Sequence, residues 1–267
     1  MSRWLVVAVL LVACMAPARA EDGAGRKRRT APQDYGRVVM ASSTTARAKM
    51  PAVVFDHWVH RALYTCRVCH VDIGFAMTPG ATGVRAADNA KGMFCGACHN
   101  GRTKVEGRGA LFPACSGPAD AVRPACQRCH SVGALARPER DFAEVTRGLP
   151  KGRFGNGVDW EAAELAGLIK PSDFVEGVSI RRTAMATQKD FSLPAKLAGM
   201  PEIIFSHAKH TAWSGCEGCH PEPFGLRRGG NKLTMAEIFE GRYCGICHVS
   251  VAFPTVDCQR CHTKPVQ

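Results

Sequence analysis

The sequence lacks several features that most soluble enzymes of its size contain. Aromatic residues make up only 7% and charged residues only 22% of its 267 positions. Beyond the first twenty residues, no apolar stretch is long enough to cross a bilayer, which excludes a membrane-spanning helix there. Residues 131–201 contain neither cysteine nor histidine, which excludes metal or cofactor ligation by those side chains in this segment.

The first twenty residues have the pattern of an export signal. Arg3 supplies a positive charge, residues 4–15 are apolar, and Ala18-Arg19-Ala20 is a small-x-small cleavage site. We expect cleavage after Ala20 and export to the periplasm, where conditions are oxidising. The alternative is that residues 11–14 act as a lipobox, so that Cys14 becomes a lipidated N-terminus that anchors the protein.

Cysteine, in contrast, is abundant, with 14 in the chain. Twelve of them belong to six copies of one pattern, C-x-x-C-H. The copies are Cys66/Cys69/His70, Cys95/Cys98/His99, Cys126/Cys129/His130, Cys216/Cys219/His220, Cys244/Cys247/His248 and Cys258/Cys261/His262. Outside the pattern, Cys115 has no disulfide partner once Cys14 is removed, and we assign it no role.

This pattern is typical of covalent haem attachment. Two thiols three positions apart lie on one turn of backbone, from which they can form thioether bonds to one porphyrin edge. The histidine that follows is then placed beneath the iron as an axial ligand. A zinc site would need a second His or Cys pair at a fixed distance, and no such pairing recurs. The sequence therefore predicts six covalently bound c haems.

The chain is a doubled unit. The pattern F-x-H-x-x-H occurs at residues 55–60 and again at 205–210, 150 residues later, and the first haem site of each half keeps this spacing. The third site breaks the register, because Cys95 and Cys126 are 31 residues apart whereas Cys244 and Cys258 are 14 apart. The difference is an insertion around residues 116–124. Each half is thus a module with three haem sites.

These observations predict a mostly irregular chain with small helices, in which two haem-packed modules have short helices at the attachment sites and long loops between them. We expect a signal peptide at 1–20, a basic flexible tail at 21–50, the first module at 51–131, a connector at 132–200 and the second module at 201–267. Residues 160–169 are expected to form a short helix in the connector. The net charge of +12 offsets the haem propionates, so nucleic acid is not needed to explain it.

The histidines outside the attachment motifs are candidates for the second axial position. They are His57, His60, His207 and His210, which form two His-x-x-His pairs, each just before the first attachment site of its module. Histidines three apart on a helix share a face but diverge, so each can reach a different iron. Four haems would then have two histidine ligands.

Methionine is the other common axial ligand, and it raises the haem potential relative to two histidines. In the second module, Met235 lies between the first and second attachment sites and is the candidate for the third haem. The aligned residue of the first module is Ala86, so its ligand must come from elsewhere. Met77 is the best candidate there and Met93 is the second. The alternative is that these side chains only pack against porphyrins.

The pattern F-x-H-x-x-H followed by three C-x-x-C-H sites resembles the triheme cytochrome c7 family, a reduced relative of tetrahaem cytochrome c3, over residues 52–130 and 202–264. In that family the first histidine of each pair ligates the first haem and the second ligates the second haem. Carried over, the resemblance implies four ligand pairs, which are His57 with His70, His60 with His99, His207 with His220 and His210 with His248. Met235 matches the tandem members of the family, whereas Ala86 departs from them.

The resemblance implies a periplasmic carrier that passes electrons between redox partners in anaerobic or metal respiration. Expected partners are a membrane quinol-oxidising complex, other cytochromes, and an outer-membrane or terminal reductase. One alternative is an oxidoreductase of the nitrite or sulfur-oxyanion type, with one open haem, for which the haem on His130 is the candidate. Another is a subunit that only wires a larger redox complex.

Overall fold

The computed structural model describes residues 30–41, 50–105, 109–115, 126–131, 141–183, 185–186 and 188–264. The described residues from Ala31 onward belong to one compact unit. The expected signal segment with Cys14, and the insertion around 116–124, lie outside the described residues. Among the residues described, no helix is both long and apolar enough to cross a membrane.

The helices are short, and several begin at or next to an attachment motif. In chain order they are α1 (His57–Arg61), α2 (Ala86–Ala90), α3 (Cys95–Cys98), α4 (Phe142–Val145), α5 (Trp160–Leu165), α6 (His207–Ser214), α7 (Met235–Phe239), α8 (Gly245–His248) and α9 (Cys258–Cys261). A 3-10 turn at Pro32–Asp34 and a π-helical turn at Val68–Asp72 complete the helical elements of the described residues. The expectation of a mostly irregular fold with short helices is confirmed.

The strands are equally short and form small antiparallel sheets. They are β1 (Arg37–Met40), β2 (Val53–Asp56), β3 (Lys104–Val105), β4 (Gly109–Ala110), β5 (Phe191–Leu193), β6 (Glu202–Phe205) and β7 (His262–Lys264). Strand β1 pairs with β2, β3 with β4, and β6 lies between β5 and β7. Strand β2 of the first module and strand β6 of the second each lead directly into the helix that carries the His-x-x-His pair.

The third attachment site of each module pairs with the strand that precedes the His-x-x-His helix, β2 or β6. His130 forms a β-bridge with Val53 in the first module, and His262 pairs with Ile203 in the second. The bridge at Val53 is reinforced by its neighbour, since the backbone N–H of Val54 donates to Cys129 O at 2.8 Å. The chain therefore brings the last haem site of each module back to its first histidines.

The apolar core of the described residues is small. It centres on Trp58, Val158 and Trp160, which come from the first module and the connector. Only eight hydrophobic residues of the described part are buried. A core of this size is small for stabilising a chain of 267 residues. Covalently attached apolar groups in the modules would supply the missing buried surface.

Two elements differ from expectation. The connector helix, expected over 160–169, is α5, which Asp159 caps by accepting a hydrogen bond from Ala162 N at 3.1 Å. It ends at Leu165 because Gly167 takes a φ of +69°, which a right-handed helix cannot continue. Within the range expected to be a tail, residues 37–40 form β1 and pair with β2, since their hydrophobic residues complete a two-stranded sheet.

Candidate haem-binding sites

Each F-x-H-x-x-H motif builds a small aromatic cluster. Phe55 stacks on His60 with ring centres 4.5 Å apart and an interplanar angle of 27°, and meets His57 edge-on at 4.9 Å. The helix starts at His57, so the strand residue Phe55 sits beside both imidazoles and fixes their orientation. The phenylalanine of the motif therefore orients its two histidines.

The second module repeats this cluster closely. Phe205 stacks on His210 with ring centres 4.3 Å apart at 23°, and meets His207 edge-on at 5.1 Å. The sequence pattern thus corresponds to one three-dimensional arrangement that occurs twice.

Three pairs of histidines face one another at the separation that a shared metal requires. A metal–histidine bond is about 2.0 Å long, so two imidazoles on opposite sides of one metal have ring centres about 6 Å apart. The ring centres are 6.5 Å apart for His57 and His70, with an interplanar angle of only 8°. They are 6.3 Å apart for the pair His60–His99 and again for the pair His210–His248.

The backbone sets which ring nitrogen points towards the gap. Nine histidines place Nδ1 within hydrogen-bond distance of a backbone carbonyl, and the Nδ1–H donates there. The carbonyls belong to Gly36 for His57, Asp56 for His60, Phe75 for His70, Pro51 for His130, Lys189 for His207, Ser206 for His210, Phe224 for His220, Phe253 for His248 and Pro201 for His262. This tautomer leaves Nε2 free to bind a metal, as in most histidine-ligated sites.

The fourth expected pair, His207 with His220, has the same hydrogen-bonded arrangement. The donor–acceptor distance is 2.9 Å from His207 to Lys189 O and 2.7 Å from His220 to Phe224 O. The corresponding histidines of the first module, His57 and His70, bond to carbonyls at 2.6 and 2.8 Å. The histidines of the first haem site are therefore oriented by the same kind of hydrogen bond in both modules.

Burial favours the neutral form of four of the paired histidines. Burial lowers the pKa of His60 to about 4, and burial likewise lowers the pKa of His57, His70 and His248. A neutral imidazole is the form that binds a metal. The electrostatics of the sites therefore favour ligation.

All the motif cysteines except Cys216 line one large cavity. It has a volume of about 3930 Å³ and is lined by residues of all six attachment motifs or their immediate neighbours. A pocket for one small ligand is commonly about 300–1,000 Å³, so this space suits several large apolar groups. Burial raises the pKa of Cys69 to about 12 and that of Cys95 to about 11, as expected for thiols that face apolar surroundings. The cysteines of the described residues are unpaired, as thioether formation requires.

The third attachment motif of each module supports the second one. Arg128 lies over the ring of Phe112 at 4.5 Å, and Phe112 in turn contacts His99 with ring centres 4.5 Å apart. In the second module, Arg260 lies over Phe253 at 5.4 Å, and Phe253 contacts His248 at 4.2 Å. These contacts explain why both halves share the sequence C-Q-R-C-H and a Phe-Pro pair before it.

The second attachment motif depends on its glycine. A Cβ added to Gly96 would lie 1.8 Å from Asn89 O, and one added to Gly245 would lie 2.0 Å from Ile238 O. The preceding helix, α2 or α7, therefore packs directly against the backbone of the motif. This contact fixes where that helix begins relative to the haem site.

The family comparison agrees with this geometry. The family described as cytochrome c7 and related cytochrome c matches residues 53–131 and 203–263, which together make up half of the chain. The chain belongs to this family of cytochromes. It is a multihaem cytochrome c that binds haem c covalently, and electron transfer is the activity that this membership supports. No curated protein matches.

Solved structures also resemble the cytochrome, with low superposition scores. The C-terminal hexaheme fragment of GSU1996 is 24% identical, with 85% of this chain and 97% of that chain covered and a TM-score of 0.26. The N-terminal hexaheme fragment is 22% identical, with 85% and 98% covered and a TM-score of 0.25. For the dodecaheme cytochrome c GSU1996, identity is 22%, coverage 85% and 74%, and the TM-score 0.27.

The methionine candidates of the cytochrome differ in position. Met77 and Met235 both line the cavity, whereas Met93 is not among its lining residues. Exposure does not separate Met93 from Met235, since these side chains are 44% and 41% exposed. Ala86 and Met235 are each the first residue of the helix that packs on the second attachment motif, so the sequence alignment of these two positions agrees with the structure. The placement favours Met77 over Met93 as the ligand candidate of the first module.

Several contributors were not visible in the sequence. The carbonyl partners of the histidines, such as Gly36 and Lys189, are 21 and 18 residues from the side chains that they orient. The half-buried side chain of Arg61, which faces the rings of two tryptophans, belongs to no sequence motif. Pro51 and Pro201, which are 150 residues apart, are the partners that the repeat could have indicated. Each precedes strand β2 or β6, and its carbonyl accepts a hydrogen bond from the third motif histidine, His130 or His262.

Proposed function

We propose that the cytochrome carries six covalent c haems, one at each C-x-x-C-H motif, and that it transfers electrons without chemistry at a substrate. Four haems take two histidine ligands each, in the pairs His57–His70, His60–His99, His207–His220 and His210–His248. The remaining two, on His130 and His262, take Met77 and Met235. With all axial positions filled, no iron offers a place for a substrate.

The observation that carries this proposal is the spacing of the opposed histidines. Three pairs have ring centres 6.3 to 6.5 Å apart, close to the value for two imidazoles on one metal. Backbone carbonyls engage the Nδ1–H groups of His57, His70 and His248, so Nε2 is the nitrogen available for iron on these rings. A packing role alone would require neither this separation nor this tautomer.

We further propose that the cytochrome works in the periplasm. The export signal of residues 1–20 supports this, and lipidation at Cys14 would anchor it to a membrane in the same compartment. Its donors and acceptors are then redox proteins of the respiratory chain, such as a quinol-oxidising complex, other cytochromes, or a terminal or outer-membrane reductase. The membrane fraction and mass of the mature N-terminus distinguish cleavage after Ala20 from lipidation at Cys14.

Two measurements on the purified holoprotein test the proposed haem content and activity. Intact-mass spectrometry is expected to show six haems added to the mature chain, and stopped-flow mixing with a reduced small cytochrome is expected to reduce all of them. Fewer than six haems, or haems that a protein donor cannot reduce, would contradict the proposal.

A second candidate function rests on Ala86. Where the second module has Met235 at the start of the helix, the first has an alanine, so the haem on His130 is the one whose distal ligand is supplied differently. If that haem were open, the protein would be an oxidoreductase. Carbon monoxide or nitrite binding to one haem of six, together with turnover of nitrite or a sulfur oxyanion, would favour this candidate over the carrier.

A further inference from the structure

The two modules meet at a junction that contains the half-buried side chain of Arg61. Arg61, the last residue of α1, places its guanidinium 4.9 Å from the ring centre of Trp160 in the connector and 5.1 Å from that of Trp213 in the second module. Its Nε is buried and has no hydrogen-bond partner among the described residues. The guanidinium of Arg61 therefore lies against two aromatic faces, and Glu164 is the carboxylate that acts on it electrostatically.

Other contacts define which haem sites flank this junction. Tyr35 OH donates to Ala252 O at 2.6 Å, and a Cβ on Gly36 would lie 3.5 Å from Ser250 O. Gly36 O accepts from His57 Nδ1, whereas the loop at 250–253 ends with Phe253 O, which accepts from His248 Nδ1. The carbonyls that orient His57 and His248 thus belong to two segments in contact.

The helices that carry the paired histidines of the two modules also approach each other at Arg61. Arg61 directly follows His60 in α1, and Trp213, whose ring it faces, lies three residues after His210 in α6. The cation therefore lies near one ligand set of the first module and one of the second.

We propose that Arg61 is a tuning residue for electron exchange between the modules, where it raises the potentials of the two haems at the junction. These are the haem between His57 and His70 and the haem between His210 and His248, so the inference rests on the proposed ligation. A fixed positive charge in a region of low dielectric favours the ferrous over the ferric iron. Exchange across the junction moves one electron from a ferrous to a ferric iron, with no bond made or broken.

The experiment compares Arg61→Met, which removes the charge at similar length, with Arg61→Lys, which retains it. Each holoprotein undergoes a redox titration that is followed by NMR. The haem methyl resonances are separate for each haem, so the titration gives the potential of each one. We expect Arg61→Met to shift one haem of each module to lower potential and to leave the other four in place, whereas Arg61→Lys keeps all six near their original values. Arg61→Gln serves as a second neutral variant should Arg61→Met fail to fold.

The matched control is Arg181→Gln, which removes the same charge from an arginine whose side chain is 76% exposed. It is expected to leave every potential unchanged. Unchanged potentials in both neutral variants would show that Arg61 is only a structural brace, and would overturn the proposal. So would a shift confined to one module, or an equal shift in the Arg181 control. A failure of the haem ligation itself is distinguishable, because it would appear in the unmodified protein as missing or high-spin haems.

Discussion

The two modules orient their paired histidines alike but begin the helix before the second attachment site differently. In the second module, Thr234 and Glu237 form a reciprocal cap ahead of Met235. In the first, Arg85 occupies the cap position without a side-chain cap hydrogen bond and instead pairs with Asp88 at 3.1 Å. The contacts around the histidines are therefore duplicated, whereas the contacts around the third haem's ligand are not.

This difference indicates which features haem binding itself requires. A phenylalanine on two histidines, a carbonyl on each Nδ1, and a glycine against the preceding helix occur in both modules. The cap and the residue that follows it are free to differ. The modules should therefore respond equally to changes at the shared features and unequally to changes at the third haem.

The largest effect is expected from the second histidine of each pair. His60→Ala and His210→Ala should each leave one haem without its distal ligand and convert it from low to high spin. Replacement by methionine, in His60→Met and His210→Met, should retain six-coordination and raise the potential of that haem. Absorption and electron paramagnetic resonance of the ferric proteins would check this, and a low-spin spectrum in the alanine variants would contradict the assigned pairs.

Alanine substitutions at the methionine candidates should show which side chain ligates the third haem of each module. Met77→Ala and Met235→Ala are each expected to open one haem and lower its potential, because the loss of a thioether ligand favours ferric iron. Met93→Ala is the control and should leave the spin state unchanged, since that side chain does not line the cavity. Cyanide or imidazole binding to one haem would report the opening, and an effect of Met93→Ala alone would reverse the assignment in the first module.

The shared glycines should be equally intolerant of substitution. Gly96→Ala and Gly245→Ala force a Cβ to within 1.8 and 2.0 Å of a backbone oxygen, so the helix must move away. Such overpacking should lower the free energy of unfolding by about 3 kcal/mol. Gly148→Ala is the matched control, because a Cβ there meets no atom within 4 Å. Thermal unfolding would measure all three, and a clear difference between the two motif variants would break the equivalence of the modules.

The smallest effect is expected at the helix caps. Thr234→Ala removes the reciprocal cap of α7 and should lower the free energy of unfolding by about 1 kcal/mol. Arg85→Ala, at the corresponding position, removes an ion pair with the buried Asp88 whose arginine side chain is 72% exposed, and because solvent screens that end it should cost about 0.5 kcal/mol or less. Denaturant titration of the two holoproteins would compare them. An equal cost would mean that the caps do not distinguish the modules.

The haem attachment sites and the histidine pairs could be predicted from the sequence, because each is formed by residues that are close together in the chain. The spacing of Cys66, Cys69 and His70 within one turn, and of His57 and His60 on one helix face, is visible without any knowledge of the fold. The 150-residue offset between the halves then predicted that one arrangement would occur twice. These features need no distant contact to be recognised.

Features that depend on distant contacts could not be read in this way. Gly36 orients His57 only because β1 pairs with β2, and that pairing lies within a segment whose basic composition indicated a tail. Arg61 is surrounded by Trp160 and Trp213, which are 99 and 152 residues away along the chain. Helix α5 ends before residue 169 because Gly167 takes a positive φ.

The central claim is that every iron of this cytochrome has both axial positions filled by the chain. Electron paramagnetic resonance of the fully oxidised holoprotein, with spin quantified against its haem content, tests this most directly. Six low-spin ferric haems and no high-spin signal are the predicted result, and they would support a carrier in which the chain ligates the third haem of each module from a different position. A high-spin signal from one haem in the unmodified protein would contradict the claim and would direct attention to the haem on His130.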